Sequence, residues 1–388
     1  MNHLFPNFPF PLPLCLDGAT GTELIRAGMP TGVCPEKWIL DHPDTILHIQ
    51  GRYAEAGSHA VLAPTFGANR AVLSRYGLAD RTSEINHALV RLSRLAAPHA
   101  LIGGDLSPTG KYLKPIGDTE PEELIGIYRE QAEALSPDVD FFMIETNMDL
   151  ACTRMAVIGV KEVSEKPVFV TLTVTPSGKT MSGDDVEAAF VTLSSLGIAA
   201  FGLNCSTGPE EMARLLKPLV PLSLALGIPL IAKPNAGAPS ADGTHTHLAP
   251  EVFATHGKEM AQSGIPILGG CCGTDAAYIH ALSKALDSIT VSLPESHLQH
   301  ARLIANARMT AYLPDDLPEP IAADDDFPDN AEEMAEDKGF IHVYVTSDED
   351  VACVLDAAPF LGAPLLASGD GDAIRKLSRY FCGKITID

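Results

Sequence analysis

PVFVTLTVTPSGKTMSGDDVEAAFVTLSSLGIAAFGLN, residues 167–204, holds one complete copy of the pattern that decides the fold. PVFVTLTV at 167–174 is a short apolar run rich in β-branched residues, DVEAAFVTLSSLG carries apolar residues at helical spacing, and AAFGLN at 199–204 begins a new run. The unit reads as strand, helix, strand. The same alternation recurs in both directions along the chain. LCLD at 14–17, AVLAP at 60–64, ALIGGD at 100–105, VDFFMIE at 139–145, PLIAKP at 229–234 and IPILGG at 265–270 bring the apolar runs to eight. Helical patterns such as DTILHIQGRYAEAG, EINHALVRLSRLAA, PEELIGIYREQAEAL, EEMARLLKPLVPLSLALG and APEVFATHGKEMAQSG separate them. Open and closed parallel sheets both bury strands on two faces, so the count of eight decides for a closed (β/α)8 TIM barrel.

The barrel is expected to occupy residues 1–312, ending in the helix DAAYIHALSKAL with a further helix over 296–312. Residues 315–337 hold many Asp, Glu and Pro and no Lys or Arg, so 313–337 read as an extended acidic linker. FIHVYV, DEDVACVLDAAPFLG, APLLAS, GDAIRKLSRYF and GKITID then give strand, helix, strand, helix, strand, a small α/β unit at 338–388.

Charge narrows the function classes. The 388 residues include 50 acidic and 27 basic ones, a formal charge of −23 that repels nucleic-acid phosphates and anionic lipid headgroups. No stretch approaches the roughly 20 apolar residues of a membrane span, and the opening MNHLFPNFPFPLPLCLDG lacks the basic start of a secretory signal. The expectation is a cytoplasmic protein with no nucleic-acid or membrane partner. Eight cysteines, two of them adjacent, are too sparse for a disulfide scaffold and read as reduced thiols.

In such a barrel the active site lies at the C-terminal ends of the strands. Asp17, Asp105, Glu145, Asn204 with Cys205, Asn235, and Cys271 with Cys272 all stand at or just past the ends of runs. One acid there is often a helix cap; eight such side chains on one rim point to a site. Cys205, Cys271 and Cys272 come from the sixth and eighth strands, and three thiolates leave a tetrahedral zinc one open position, as catalytic sites require. Inert buried thiols are the bland alternative. Gly269, Gly270 and Gly273 argue against it, because they let the backbone turn both neighbouring cysteines toward one metal. Such a zinc suits a thiol substrate, which it would hold as a nucleophilic thiolate. Asp17 and Glu145 are placed to take a substrate ammonium, and N–H groups of the Gly-rich turns, including Gly18 and Thr20, its carboxylate.

LDGATGTEL, VLAPTFGANR, GGDLSPTG, IETNMDL, GLNCSTGP, KPNAG and GGCCGT, in this order over about residues 12–290, resemble the homocysteine S-methyltransferase domain family. The resemblance implies Cys205, Cys271 and Cys272 as zinc ligands, homocysteine sulfur as the fourth ligand, and Asp17 and Glu145 at its amino group. Asp105, Asn204, Asn235, Gly18 and Thr20 complete the expected substrate contacts. AEAGSHAVLAPTFGANR resembles the homocysteine-binding barrel of cobalamin-dependent methionine synthase, which implies methylcobalamin or another corrinoid delivered in trans by a corrinoid protein, docked by residues 338–388. The alternatives are a small donor such as betaine, S-methylmethionine or S-adenosylmethionine, a zinc-dependent lyase, or a noncatalytic thiol-binding protein. A small cationic donor calls for an aromatic cage, for which Phe66, Tyr76, Tyr112 and Trp38 are the candidates.

His245 and His247 in DGTHTH have a metal-like spacing but read as a solvated loop. Gly67 and Asn69 lack the spacing of a phosphate loop. Cys15 reads as core, Cys34, Cys152, Cys353 and Cys382 have no evident ligand partners, and Met143 and Met148 read as packing residues.

Overall fold

The computed structural model describes residues 2–237, 247–287, 289 and 300–387. Eight strands form one parallel sheet: β1 Leu14–Cys15, β2 Ala60–Leu62, β3 Leu101–Leu106, β4 Phe141–Asn147, β5 Val168–Leu172, β6 Ala200–Asn204, β7 Leu230–Lys233 and β8 Ile267–Leu268. The order β1-β8-β7-β6-β5-β4-β3-β2 brings first and last strands together, the connectivity of a barrel. β1 and β2 share no ladder. Their seam is held by the His59 N–H donating to Cys15 O at 2.8 Å and by the Leu62 N–H donating to the Asp17 carboxylate at 2.8 Å.

Helices cover the outside, among them Pro43–Glu55, Thr82–Ala96, Pro121–Leu135, Leu150–Lys161, Val186–Ser194, Pro250–Gln262 and Ala276–Leu286. Asp149, Asp185 and Asp275 cap three of them through side-chain oxygens that accept first-turn N–H groups. The stretch EEMARLLKPLVPLSLALG is not one helix: Pro209–Leu216 and Val220–Leu226 are separated by a 3-10 turn at Lys217–Leu219, where Pro218 has no N–H to continue the ladder.

The strand period of two sorts the barrel residues. Phe142, Ile144, Val168, Val170, Phe201 and Leu203 pack outward with the helices. Leu14, Leu62, Phe141, Met143, Phe169, Ala200 and Ile231 form an inner floor, closed below by Phe5 and Phe8 of the N-terminal segment. Phe141 and Phe169 lie 4.6 Å apart, and Phe8 stacks on Phe169 at 5.5 Å. Gly103 is required opposite them, since a Cβ there would lie 2.6 Å from the Phe141 ring. Further along these strands, by two residues or in β6 by four, the same inner face carries Asp105, Glu145, Thr171, Asn204 and Lys233, all buried. An apolar floor thus supports a polar layer at the strands' C-terminal ends.

The C-terminal part differs from the sequence reading in three places. The described part of 296–312 forms an antiparallel hairpin, β9 Leu303–Ala305 with β10 Thr310–Tyr312. The Asn306 side chain makes its turn, accepting from the Arg308 and Met309 N–H groups at 2.9 and 3.0 Å. The segment 313–337 is not an extended linker: it contributes β11 Ile321–Ala322 and most of the helix Phe327–Lys338. The helix buries only Phe327 and Ala331, one turn apart, so its acidic residues occupy the solvent side and mask the signal. β11 pairs in parallel with β12 Ile341–Val345, which pairs with β13 Leu365–Gly369. GKITID forms no named strand; Lys384 bridges to Ala305 and the Ile385 carbonyl accepts from the Ala367 N–H at 2.9 Å. No helix among the described residues is long and apolar enough to cross a membrane.

Candidate active site

A pocket of about 310 Å³ opens at the C-terminal rim, lined by Asp17, Gly18, Thr20, Asp105, Glu145, Cys205, Cys271 and Cys272, among others. Asn204 and Asn235 are not among its lining residues. Asn204 is a brace instead. Its Oδ1 accepts from the Thr146 N–H at 2.9 Å and the Thr171 hydroxyl at 3.0 Å, and its Nδ2 donates to Thr146 Oγ1 at 2.8 Å and toward Cys271 Sγ at 3.8 Å.

The three sulfurs of Cys205, Cys271 and Cys272 lie within 4.8 Å of one another, and those of Cys205 and Cys272 are 3.7 Å apart. Tetrahedral zinc with Zn–S bonds of about 2.3 Å sets its sulfurs roughly 3.8 Å apart, so the cluster fits that ion. Local backbone makes the convergence possible. Cys205 and Ser206 both adopt positive φ, 61° and 52°, turning the chain abruptly at the end of β6. The Cys205 N–H donates to Lys233 O at 3.1 Å, and the Cys271 N–H donates to Pro234 O at 2.8 Å, so β7 anchors both sides. The glycines act differently from one another: Gly273 has φ +83°, whereas Gly269 and Gly270 are needed for room, a Cβ meeting Leu16 at 2.8 Å and Thr274 at 2.2 Å.

S–H donation from Cys271 and Cys272 lowers the Cys205 thiol, and Cys272 is raised because its S–H donates to Cys205 and Cys271. The carboxyls behave oppositely: burial pushes Asp17 up to about 7 and raises Asp105 and Glu145. Asp17 Oδ1 and Asp105 Oδ1 are buried acceptors without a hydrogen-bond donor among the described residues.

Sequence reasoning missed Lys233. It is 2% exposed at the end of β7, lines the pocket, and is ion-paired with Glu145. Its signal was present in PLIAKP, where a cation interrupts an apolar strand. Glu36 and Thr146 also line the pocket unforeseen. Of the four cage candidates only Phe66 does; Trp38 instead stacks on His42 at 4.4 Å. His245 lies outside the described residues, and His247 is exposed. Met143 belongs to the barrel floor.

A family model described as homocysteine S-methyltransferase matches residues 14–286. Among curated proteins, the methionine synthase of Mycobacterium tuberculosis is 32% identical over 295 residues, 70% of this chain and 24% of its own length. That of Mycobacterium leprae is 32% identical over 309 residues, 73% of this chain and 25% of its own. The chain thus spans about a quarter of the length of these relatives. Among solved structures, the homocysteine methyltransferase MmuM from Escherichia coli in its metallated form has TM-score 0.58 at 22% identity, covering 70% of this chain and 95% of that one. Its oxidised form has TM-score 0.59 at 21% identity with the same coverage.

These findings correct the expected branch. The solved homocysteine methyltransferases match over 95% of their own length, so the shared fold is a whole protein there rather than one module of a cobalamin enzyme. The assignment to the barrel of cobalamin-dependent methionine synthase, the corrinoid donor in trans and the corrinoid-protein partner are therefore withdrawn, along with docking of such a partner by residues 338–388. The resemblance of AEAGSHAVLAPTFGANR identified the family and not the donor.

Proposed function

The chain belongs to the homocysteine S-methyltransferase family, and on that premise we propose that it transfers a methyl group from a small cationic donor to the sulfur of homocysteine, giving methionine. The observation that carries this reading is the cluster of three mutually adjacent sulfurs in the wall of a carboxylate-lined pocket. Cys205, Cys271 and Cys272 would hold zinc, whose Lewis acidity keeps an incoming thiol ionised near neutral pH. The thiol proton leaves to solvent, the sulfur attacks the methyl carbon in line, and the donor departs one charge less positive. The orphaned oxygens of Asp17 and Asp105 offer acceptors for the substrate ammonium, a task that Glu145, already paired with Lys233, shares at most in part.

Four carboxyl groups, Asp17, Glu36, Asp105 and Glu145, line the pocket beside Lys233; burial raises all four, and an incoming sulfonium or quaternary ammonium donor would favour their ionised forms, so the lining suits such a donor without a full aromatic cage. About 310 Å³ is small for a ligand site. That favours betaine or S-methylmethionine over the bulkier S-adenosylmethionine. The need for reduced thiols fits a cytoplasmic location. The test is a donor panel on zinc-loaded protein with homocysteine, measuring methionine by mass spectrometry. One of the small donors should yield methionine, and Cys272→Ala should lose zinc and turnover together. No methionine from any of the three donors, or a Cys272→Ala variant with full zinc and activity, would sink the reading.

A further inference from the structure

Away from the barrel rim, a groove of about 990 Å³ lies between the helix Phe327–Lys338 and the end of the helix Asp348–Ala357. Its floor is apolar and built of small residues: Ala331, Ala335, Ala357 and Ala363, with Ile341 among them. Phe360 stands at its edge with 88% exposure, the most exposed large apolar side chain among the described residues, and Leu361 follows it. Apolar surface of this kind, left uncovered by folding and rimmed by polar groups, marks an interaction site. None of the orphaned buried polar atoms of the described residues lies in the groove, so it lacks the convergent polar groups that orient a small ligand.

Six carboxylates ring this floor. Asp324 and Asp325 come from the segment before the first helix, Asp329, Glu332 and Glu336 from that helix, and Asp356 from the second. None of them is ion-paired among the described residues. The cations of this part are engaged elsewhere: Lys338 with Asp337, Arg375 with Asp372, Lys376 with Asp348, and Arg379 with Glu122 and Glu162. Along the helix Phe327–Lys338, Asp329 precedes Glu332 and Glu333, and Glu332 precedes Glu336, at the i,i+3 and i,i+4 spacings where like charges destabilise a helix. Glu336 and Asp337 also stand at its C-terminal end, against the helix dipole. A face that served solubility alone would intersperse both signs. Elsewhere the chain does so, pairing Arg26, Arg81 and Arg214 with acids three residues away.

We propose that this groove docks a basic amphipathic α-helix of another protein, its apolar stripe laid on the alanine floor against Phe360 and its Lys and Arg residues set against the six carboxylates. Charge complementarity selects this occupant. A second copy of the chain would bring another −23 charges to an acidic rim and be repelled. The groove wall Phe327–Lys338 is 12 residues long, about 18 Å at a helical rise of roughly 1.5 Å per residue, so it matches a partner helix of similar length. Docking of a basic helix relieves the like-charge repulsion along that wall and covers Phe360 in one step. The proposal stands independently of the methyl-transfer reading.

The probe is a fluorescent peptide of about 14 residues, roughly four helical turns, with Leu at i, i+3, i+4 and i+7 positions and Lys elsewhere. Its controls are a peptide of the same composition in scrambled order and one with Glu in place of Lys. Binding to the full chain is read by fluorescence anisotropy, with circular dichroism and sedimentation recorded for every variant. The amphipathic Lys peptide should bind about tenfold or more tighter than the scrambled one, and the Glu peptide should not bind. Phe360→Ser should weaken binding by about tenfold or more, as loss of an aromatic anchor does, and Glu332→Lys with Glu336→Lys should abolish it. Glu55→Lys with Glu251→Lys makes the same charge change on barrel helices and should alter binding by less than about threefold, because exposed charges beyond a Debye length are screened. The substituted side chains are all exposed, so each variant keeps its core. No binding of the Lys peptide, equal binding of the scrambled one, or equal loss from the groove and barrel reversals would overturn the proposal. Concentration-dependent dimerisation that Phe360→Ser abolishes would overturn it in favour of a second copy.

Discussion

Asn204 spends its amide on its neighbours. It is fully buried and holds Thr146, a non-glycine residue at φ 62°, by two hydrogen bonds, while its remaining donor points at the sulfur of Cys271. Outer-shell groups of this kind orient metal ligands, and their loss typically costs about 10–100-fold in metal affinity. Asn204→Ala should therefore lower zinc affinity by about that range with the three cysteines intact, measured by chelator competition; an unchanged affinity would reduce Asn204 to a packing residue. The residue itself was legible in GLNC, as the end of an apolar run beside a cysteine. Its role was not, because the Thr146 and Thr171 partners lie 58 and 33 positions away in the chain. Lys233 shows the same limit: its partner Glu145 is 88 residues distant, and only the closed sheet brings them together.

At the scale of elements, the short continuous apolar runs were readable because a strand of a covered parallel sheet is buried on both faces. The seam between β1 and β2 was not, since nothing in LCLD announces that an aspartate will replace a backbone acceptor. Asp17 accepts the Leu62 N–H across that seam and also faces the pocket. The two duties separate by substitution. Asp17→Asn keeps an oxygen that can accept the Leu62 N–H and should retain most of the stability while losing homocysteine affinity. Asp17→Ala leaves that buried N–H without an acceptor and should cost about 1–3 kcal/mol in addition. Urea titration of folded variants beside thiol-binding titration checks this. Equal stability of the two variants would mean that the seam does not depend on the side chain. The acidic helix Phe327–Lys338 was hidden for the opposite reason: its composition describes its solvent face, and the buried stripe is only two residues wide.

The whole molecule couples the C-terminal part to the barrel through contacts that composition could not reveal. Arg379 is ion-paired with Glu122 and Glu162, and the Tyr380 hydroxyl donates to Glu122 at 2.7 Å. Lys384 and Ala305 exchange backbone hydrogen bonds of 3.0 and 2.9 Å, and the Arg154 guanidinium, 1% exposed, donates to Ser378 O at 2.5 Å. Arg154 Nε and Nη1 have no hydrogen-bond partner among the described residues, so the cover over this cation is incomplete as a polar network. A chain ending at residue 312 would lose the Ser378 carbonyl and the Lys384 bridge to Ala305, exposing Arg154 and the flank of Pro121–Leu135. Its thermal midpoint should fall by several degrees, whereas zinc per folded molecule should stay near that of the full chain, because the pocket residues all lie between Asp17 and Cys272. Arg154→Met in the full chain should be neutral or stabilising, since an apolar side chain of similar length relieves the unpaired guanidinium donors. An unchanged midpoint on truncation, together with marked destabilisation by Arg154→Met, would show that residues 313–388 fold apart from the barrel and that Arg154 serves the barrel alone.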